Sequence, residues 1–346
     1  MKELISRIAA EHNADRNDLI RIISSRNPEY DEFLFETADS IRRSIYGTDV
    51  YIRGLIEISN YCKNNCLYCG IRCKNKNAER YRLDEDEILE CCDEGYRLGF
   101  RTFVMQGGED SFFTDEMICR IVSAVKKKYS DCAVTLSIGE KSYESYKAFY
   151  EAGADRYLLR HETASSEHYK KLHPQNMSFE NRVRCLKDLK TLGYEVGTGC
   201  LVGLPEQTIE SLANDILFFK EIDADMIGIG PFIPNQNTPL KDAKGGTFEM
   251  ALKVMALTRI LLPTINIPAT TAMETLNPNG RLIALQSGAN IVMPNVTEGD
   301  YRRKYEIYPG KICVGDTPAQ CRGCISGKIQ SIGRIVSTGY GFRVGK

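Results

Sequence analysis

Tyr61-Cys62-Lys63-Asn64-Asn65-Cys66-Leu67-Tyr68-Cys69-Gly70 decides the reading of this chain, and the rest of the sequence is read outward from it. Its cysteines follow the spacing C-x3-C-x2-C. With 13 cysteines in 346 residues, chance would supply ~0.02 copies of that spacing. Three thiolates on one short loop can hold three irons of a 4Fe–4S cube and leave the fourth without a protein ligand. An open iron can bind and activate a molecule, whereas a closed cluster only passes electrons. Cys73 keeps two closed alternatives in play, a four-ligand zinc site and a ferredoxin-like cluster. A group of ordinary buried thiols is the third alternative.

On both sides of the loop the chain alternates between strand and helix. Candidate strands are Leu55–Ile58, Thr102–Gln106, Ala133–Ile138, Arg156–Arg160, Glu195–Leu201, Met226–Gly230, Ile267–Thr271 and Ala289–Met293. Amphipathic stretches such as Glu85–Leu98, Thr114–Lys127, Phe179–Leu192 and Glu249–Leu261 lie between them. Eight such units predict an α/β fold, a (β/α)8 TIM-type barrel, with an open doubly wound sheet as the alternative. The polar groups favour the barrel. They recur at strand ends, in Gln106-Gly-Gly-Glu-Asp110, Ser137-Ile-Gly-Glu140, Arg160-His-Glu162, Gly199-Cys-Leu-Val-Gly203 and Thr270-Thr-Ala-Met273. A parallel barrel gathers the C-terminal strand ends on one face. Residues 1–48 read as a helical extension, 49–300 as the barrel and 301–346 as a cysteine-containing C-terminal segment.

Composition narrows the classes. The chain is 42% hydrophobic with net charge −1, enough for one barrel-sized core and without a nucleic-acid-type basic excess. The start lacks a signal-peptide apolar stretch, and no run has transmembrane length. A cytoplasmic protein in an anaerobic setting is expected, with its cysteines serving as ligands and core thiols. His161, between an arginine and a glutamate, reads as a structural hydrogen-bonding residue.

The cysteine loop, with aromatic Tyr68 before its third cysteine, resembles the signature of the radical S-adenosylmethionine (SAM) superfamily. The resemblance implies that SAM chelates the open iron and is reductively cleaved to methionine and a 5′-deoxyadenosyl radical. It also implies a cofactor-binding set. Gly107-Gly108-Glu109, following Gln106, would meet the methionine ammonium, and Arg182 its carboxylate. Glu162 would accept from the ribose, Gly199 and Gly203 would admit the adenine, and Ser137 belongs to the same rim.

Four further segments resemble the HydE family of FeFe-hydrogenase maturases. They are Glu151–Thr163, Met226–Pro234, Ile267–Met273 and Tyr308–Cys313. This resemblance implies a role in building the two-iron subcluster from a cysteine-ligated Fe(CO)2(CN) precursor. Arg156 and Arg160 would counter its charge, and Thr270 and Thr271 would donate to it. Met226 would pack near the adenosyl group, with Tyr305 and Tyr308 closing the top. Cys313, Cys321 and Cys324 resemble an accessory site, so a second iron–sulfur cluster is possible. A reductant such as ferredoxin or flavodoxin and other hydrogenase maturases are the implied partners. Biotin synthase and methylornithine synthase are the competing families. The chain departs from the HydE pattern at Gly107 (often serine), Glu206 (commonly glycine) and Cys73 (where a basic residue is expected).

Overall fold

The computed structural model describes residues 1–345. Three helices, Lys2–Glu11, Arg16–Ser24 and Pro28–Tyr46, precede the first strand. The strands are β1 (Asp49–Ile52), β2 (Gly54–Ser59), β3 (Thr102–Gly107), β4 (Ala133–Ser137), β5 (Arg156–Leu158), β6 (Glu195–Val202), β7 (Met226–Pro231), β8 (Ile291–Val292) and β9 (Ile335–Ser337). β2 to β7 form one parallel sheet in chain order. Each is followed by an outer helix that begins at a residue able to accept from its free N–H groups: Asp84, Thr114, Ser142, Ser178, Thr208 and Thr247. Helices outside and side chains inside bury both faces, so these strands read as continuous apolar runs.

The ring closes by shorter pairings. Expected strand Ile267–Thr271 is not regular: Pro268 has no N–H to give, and Thr270 turns the chain into helix Thr271–Leu276. Asn266 still accepts from Ile227 N–H (2.9 Å), and Ala269 N–H donates to the Ile291 carbonyl (2.8 Å). From there the N–H groups of Tyr51, Arg53 and Leu55 donate to the carbonyls of Asn290, Val292 and Pro294 (3.0, 3.0 and 2.9 Å). This returns the ring to β2. The expected strand Ala289–Met293 shrinks to β8, because Pro294 follows it.

The barrel has a mouth, where strands end, and a floor, where they begin. Two expectations are corrected here. Arg156 opens β5, so it lies on the floor, fully buried, with Nε donating to Glu195 (2.5 Å) and Nη2 to the Tyr340 carbonyl (2.9 Å). Met226 opens β7, and its Sδ lies against Arg53 Nη1 (2.7 Å). Neither is at the mouth, because parallel strands put all their first residues at the same end. The C-terminal tail crosses the floor as well: the Gly341 carbonyl accepts from Arg53 (3.0 Å) and Asn266 (2.9 Å). Among the described residues no helix is long and apolar enough to cross a membrane.

Candidate active site

The cysteine loop leaves β2 and is tied down along its backbone. Lys63 N–H donates to Glu109 O (2.9 Å), Leu67 N–H to Leu172 O (2.8 Å) and Gly70 N–H to Ile307 O (2.9 Å). Arg80 donates to the carbonyls of Ile71 (2.8 Å) and Arg72 (2.7 Å). Gly108, after β3, passes so close that a Cβ there would stand 2.1 Å from Tyr61 O and 2.7 Å from Cys62 Cβ. Glycine is needed for this approach.

Cys62, Cys66 and Cys69 are partly buried, and Cys73 is exposed. Burial pushes all three loop thiols up, Cys69 to about 12. They are neutral near pH 7 until a metal displaces their protons. Their sulfurs do not converge to the spacing of a single ion. Among the described residues only Cys313, Asp316 and Cys321 do, within 4.8 Å of one another. Tyr68, between Cys66 and Cys69, is anchored by His173: its Oη lies 2.9 Å from Nε2, while Nδ1 lies 2.9 Å from Tyr169 O.

The other mouth residues come from successive strand ends. Glu109 Oε1 accepts from Glu140 N–H (2.9 Å), and Oε2 lies 3.3 Å from Lys63 Nζ. Arg182 donates from Nε to Glu140 (2.7 Å) and from Nη1 to Arg160 O. It is close enough to Cys66 to oppose, as a charge, the rise in that thiol's pKa. Burial works against the charge on Arg182, yet Tyr169 and Glu140 hold its pKa above the ordinary guanidinium value. Gln106 donates to Tyr305 Oη (3.2 Å), and Ser137 stands beside Gln106 in register. Gly199 serves a purpose the sequence did not show: its missing side chain lets β6 and β7 close, because a Cβ would meet the Gly228 carbonyl at 2.0 Å. Gly203 directly follows β6. Glu206 adopts φ 63°, a left-handed conformation that favours glycine, and pairs with Lys171 (2.5 Å).

Several buried polar atoms at the mouth have no partner in the protein. They include Arg160 Nε, Glu162 Oε2 and Thr270 Oγ1. Glu162 Oε2 lies 3.0 Å from Arg160 Nη2 without hydrogen-bond alignment, and its backbone is held at φ 67°. Most buried polar atoms in folded proteins are satisfied, so this cluster, beside the cysteine loop, fits a polar ligand such as SAM or a charged substrate. Thr271, next to Thr270, lines a small cavity with Lys311, Arg281 and Cys313. Tyr305 is buried, and Tyr308 is half-buried near Thr275 and Arg160.

Sequence reasoning missed a group inside the barrel. Glu57 on β2 is 1% exposed; Asn295 Nδ2 donates to its Oε2 (2.8 Å), and Lys311 Nζ pairs with its Oε1. A lone acid in the apolar run Leu55-Ile-Glu-Ile58 was the available signal, since such a charge needs a partner. The accessory cysteines are also rearranged. Asp316, not Cys324, joins Cys313 and Cys321; Cys324 is exposed one turn further along helix Pro318–Ser331. The hydrogen bond between the two sulfurs lowers the pKa of Cys321 and raises that of Cys313. His161 is fully buried, with Nδ1 on Thr198 Oγ1 (3.0 Å) and Nε2 on Asp215 (3.2 Å), a structural role.

Residues 56–219 match the model of the radical SAM superfamily. The chain is 51% identical over 328 residues to the [FeFe] hydrogenase maturase subunit HydE of Thermotoga maritima, covering 95% of this chain and 93% of that protein. It is 32% identical to 3-methylornithine synthase of Methanosarcina acetivorans, over 80% of this chain and 78% of that one. The crystal structure of a methylornithine synthase superposes with a TM-score of 0.84 at 26% identity, covering 96% of this chain and 97% of the other. The chain is therefore a member of the radical SAM superfamily and, within it, of the HydE family of FeFe-hydrogenase maturases.

Proposed function

We propose that this enzyme cleaves SAM at the barrel mouth and acts on a cysteine-ligated Fe(CO)2(CN) complex during assembly of the hydrogenase two-iron subcluster. The observation that carries the reading is the cluster of unpartnered polar atoms (Arg160 Nε, Glu162 Oε2, Thr270 Oγ1) facing one mouth beside the three-cysteine loop. When bound, a 4Fe–4S centre with SAM supplies one-electron cleavage of the sulfonium and a carbon radical.

The protein's own residues bind, orient and exclude water. Cys62, Cys66 and Cys69 hold the centre. Glu109 and the Gly107-Gly108 backbone receive the ammonium of SAM, and Arg182 its carboxylate. Glu162 takes the ribose hydroxyls. Arg160 and Thr270, with Thr271 beside them, offer a cation and hydroxyl donors to an anionic complex. Tyr305 and Tyr308 lie over the mouth and keep solvent out. Glu57 and Lys311 neutralise each other inside the barrel, so the pair adds no net charge to the substrate space.

The test has two arms. Reconstituted anaerobically with iron and sulfide, the protein should release 5′-deoxyadenosine and methionine from SAM and dithionite. Expressed in a host whose own HydE has been deleted, it should restore hydrogen evolution by FeFe-hydrogenase. Cleavage without rescue would overturn the substrate assignment and turn attention to amino-acid substrates of the methylornithine synthase kind.

A further inference from the structure

Positive charge is not spread evenly over this nearly neutral chain. Residues 61–82 contain six cations, Lys63, Arg72, Lys74, Lys76, Arg80 and Arg82, against one acid, Glu79. The fold uses some of them internally. Arg80 holds loop carbonyls, Arg82 pairs with Asp110 (2.7 Å), and Glu79 is taken by Lys304 (2.7 Å). Lys74 and Lys76 are exposed and, among the described residues, have no hydrogen-bond or ion-pair partner. They follow exposed Cys73, whose N–H is fixed to Asn64 O (2.9 Å) inside the cysteine loop. Lys63 is met by Glu109 (3.3 Å), so Lys74 and Lys76 are what leaves a cationic ledge on the solvent face of that loop.

At the other end of the loop are two exposed aromatics, Tyr61 and Phe112. The Arg82 guanidinium stacks against both, 3.8 and 4.8 Å from the ring centres. Exposed Tyr and Arg anchors beside like charges have the composition of a protein-binding surface that steers in a partner of opposite sign. The neighbouring cavity lined by Arg303 and Lys304 differs, because its cations are paired with Asp300 and Glu79.

We propose that this ledge, Lys74 and Lys76 with the Tyr61–Arg82–Phe112 stack, docks a small acidic one-electron carrier protein. The proposal rests on the radical SAM reading, which requires one electron from outside for each SAM cleaved. One electron leaves the carrier's reduced centre, which is oxidised by one, and enters the centre held by Cys62, Cys66 and Cys69; no atom is transferred. The ledge is the solvent face of the loop that carries those ligands, so a partner seated on it stands next to them.

The experiment measures Kd between the full-length reconstituted protein and a purified acidic 4Fe–4S ferredoxin by calorimetry, from 50 to 300 mM NaCl. The ledge variant is Lys74→Glu/Lys76→Glu. A control with the same charge change, Lys127→Glu/Lys187→Glu, sits on outer helices. The expected result is a Kd weakened about tenfold or more at 50 mM salt in the ledge variant, with a flatter salt dependence and the control near wild type. Ferredoxin-driven 5′-deoxyadenosine formation should fall in parallel, while dithionite-driven formation stays at the wild-type rate. Equal weakening in both variants, or none in either, overturns the docking surface. So does an RNA oligonucleotide that binds as tightly as the ferredoxin with the same residue dependence, which marks a general polyanion surface. Failure of wild type to cleave SAM with dithionite counts against the radical SAM reading alone, since the binding comparison is read separately.

Discussion

His173 sets a pH limit on the cysteine loop. The Tyr169 carbonyl can only accept, so Nδ1 carries the proton and Nε2 accepts from Tyr68 Oη–H. Burial pushes this imidazole down to about 3, against about 6.5 in an unfolded chain. The folded pKa is the lower one. The stability linked to His173 is therefore complete above about pH 6.5, erodes as the pH falls, and is lost by about pH 3. Between pH 7 and 5 the unfolded chain takes up most of a proton at this site and the folded chain almost none, which costs about 2 kcal/mol. His173→Gln keeps one donor and one acceptor but cannot titrate. It also loses the stack on Tyr169 (ring centres 3.7 Å apart), so it should start about 1 kcal/mol weaker at pH 7. Urea unfolding of both proteins at pH 7 and pH 5 gives the comparison. The variant's loss over that interval should be smaller than the wild type's by about 2 kcal/mol. Equal losses would refute a buried neutral imidazole.

Other substitutions separate the remaining roles. Cys62→Ala, Cys66→Ala or Cys69→Ala should each abolish SAM cleavage after reconstitution; Cys73→Ala should leave iron content and cleavage intact, and loss of iron there would restore the closed-cluster alternative. Gly108→Ala pushes a methyl into Tyr61 O and Cys62, so iron loading, measured per folded protein, should fall while far-ultraviolet circular dichroism is unchanged. Lys311→Met strands Glu57 in the barrel and should cost about 3–5 kcal/mol. Glu57→Gln should cost less, about 1–2 kcal/mol, because Lys311 is the more exposed partner; denaturant unfolding of the two variants and their double gives the coupling. Arg156→Met should lower the unfolding midpoint but leave the KM for SAM as it is, because Arg156 is on the floor.

The parts of the site legible in sequence were those carried by short local spacing. The cysteine loop and Gly107-Gly108-Glu109 each lie within a few residues, and the structure joins them through the contact of Gly108 on Tyr61 and Cys62. Residues at the two ends of one strand were harder to assign. Arg156 and Arg160 are four positions apart, roughly 13 Å along an extended chain, so one faces the floor and the other the mouth. Met226 was misplaced for the same reason. Glu57 and Lys311 are 254 positions apart, and no local pattern pairs them. The seventh and eighth strands looked regular by composition, but Pro268 and Pro294 limit how much ladder they can form. At the accessory cysteines the C-x2-C spacing pointed to Cys324, whereas the turn at Cys313, with φ 61°, brings Asp316 round instead.

Unmet polarity occurs at both ends of the barrel, with Arg53 Nε on the floor and three neighbouring side chains at the mouth. On the floor, each terminal nitrogen of Arg156, and its Nε, has an acceptor: Glu195, Thr102 and Tyr340 O. At the mouth, Arg160 Nε and Thr270 Oγ1 have none, Glu162 Oε2 has only the ion-pair contact with Arg160 Nη2 (3.0 Å), and Glu162 and Glu206 occupy left-handed backbone conformations. Each unsatisfied buried group or strained residue costs on the order of 1–3 kcal/mol. The three at the mouth differ in lying together beside the cysteine loop, where a polar ligand would meet all of them. A ligand that satisfies those atoms recovers part of the cost on binding, so affinity and the stability of the mouth are linked through the same three side chains.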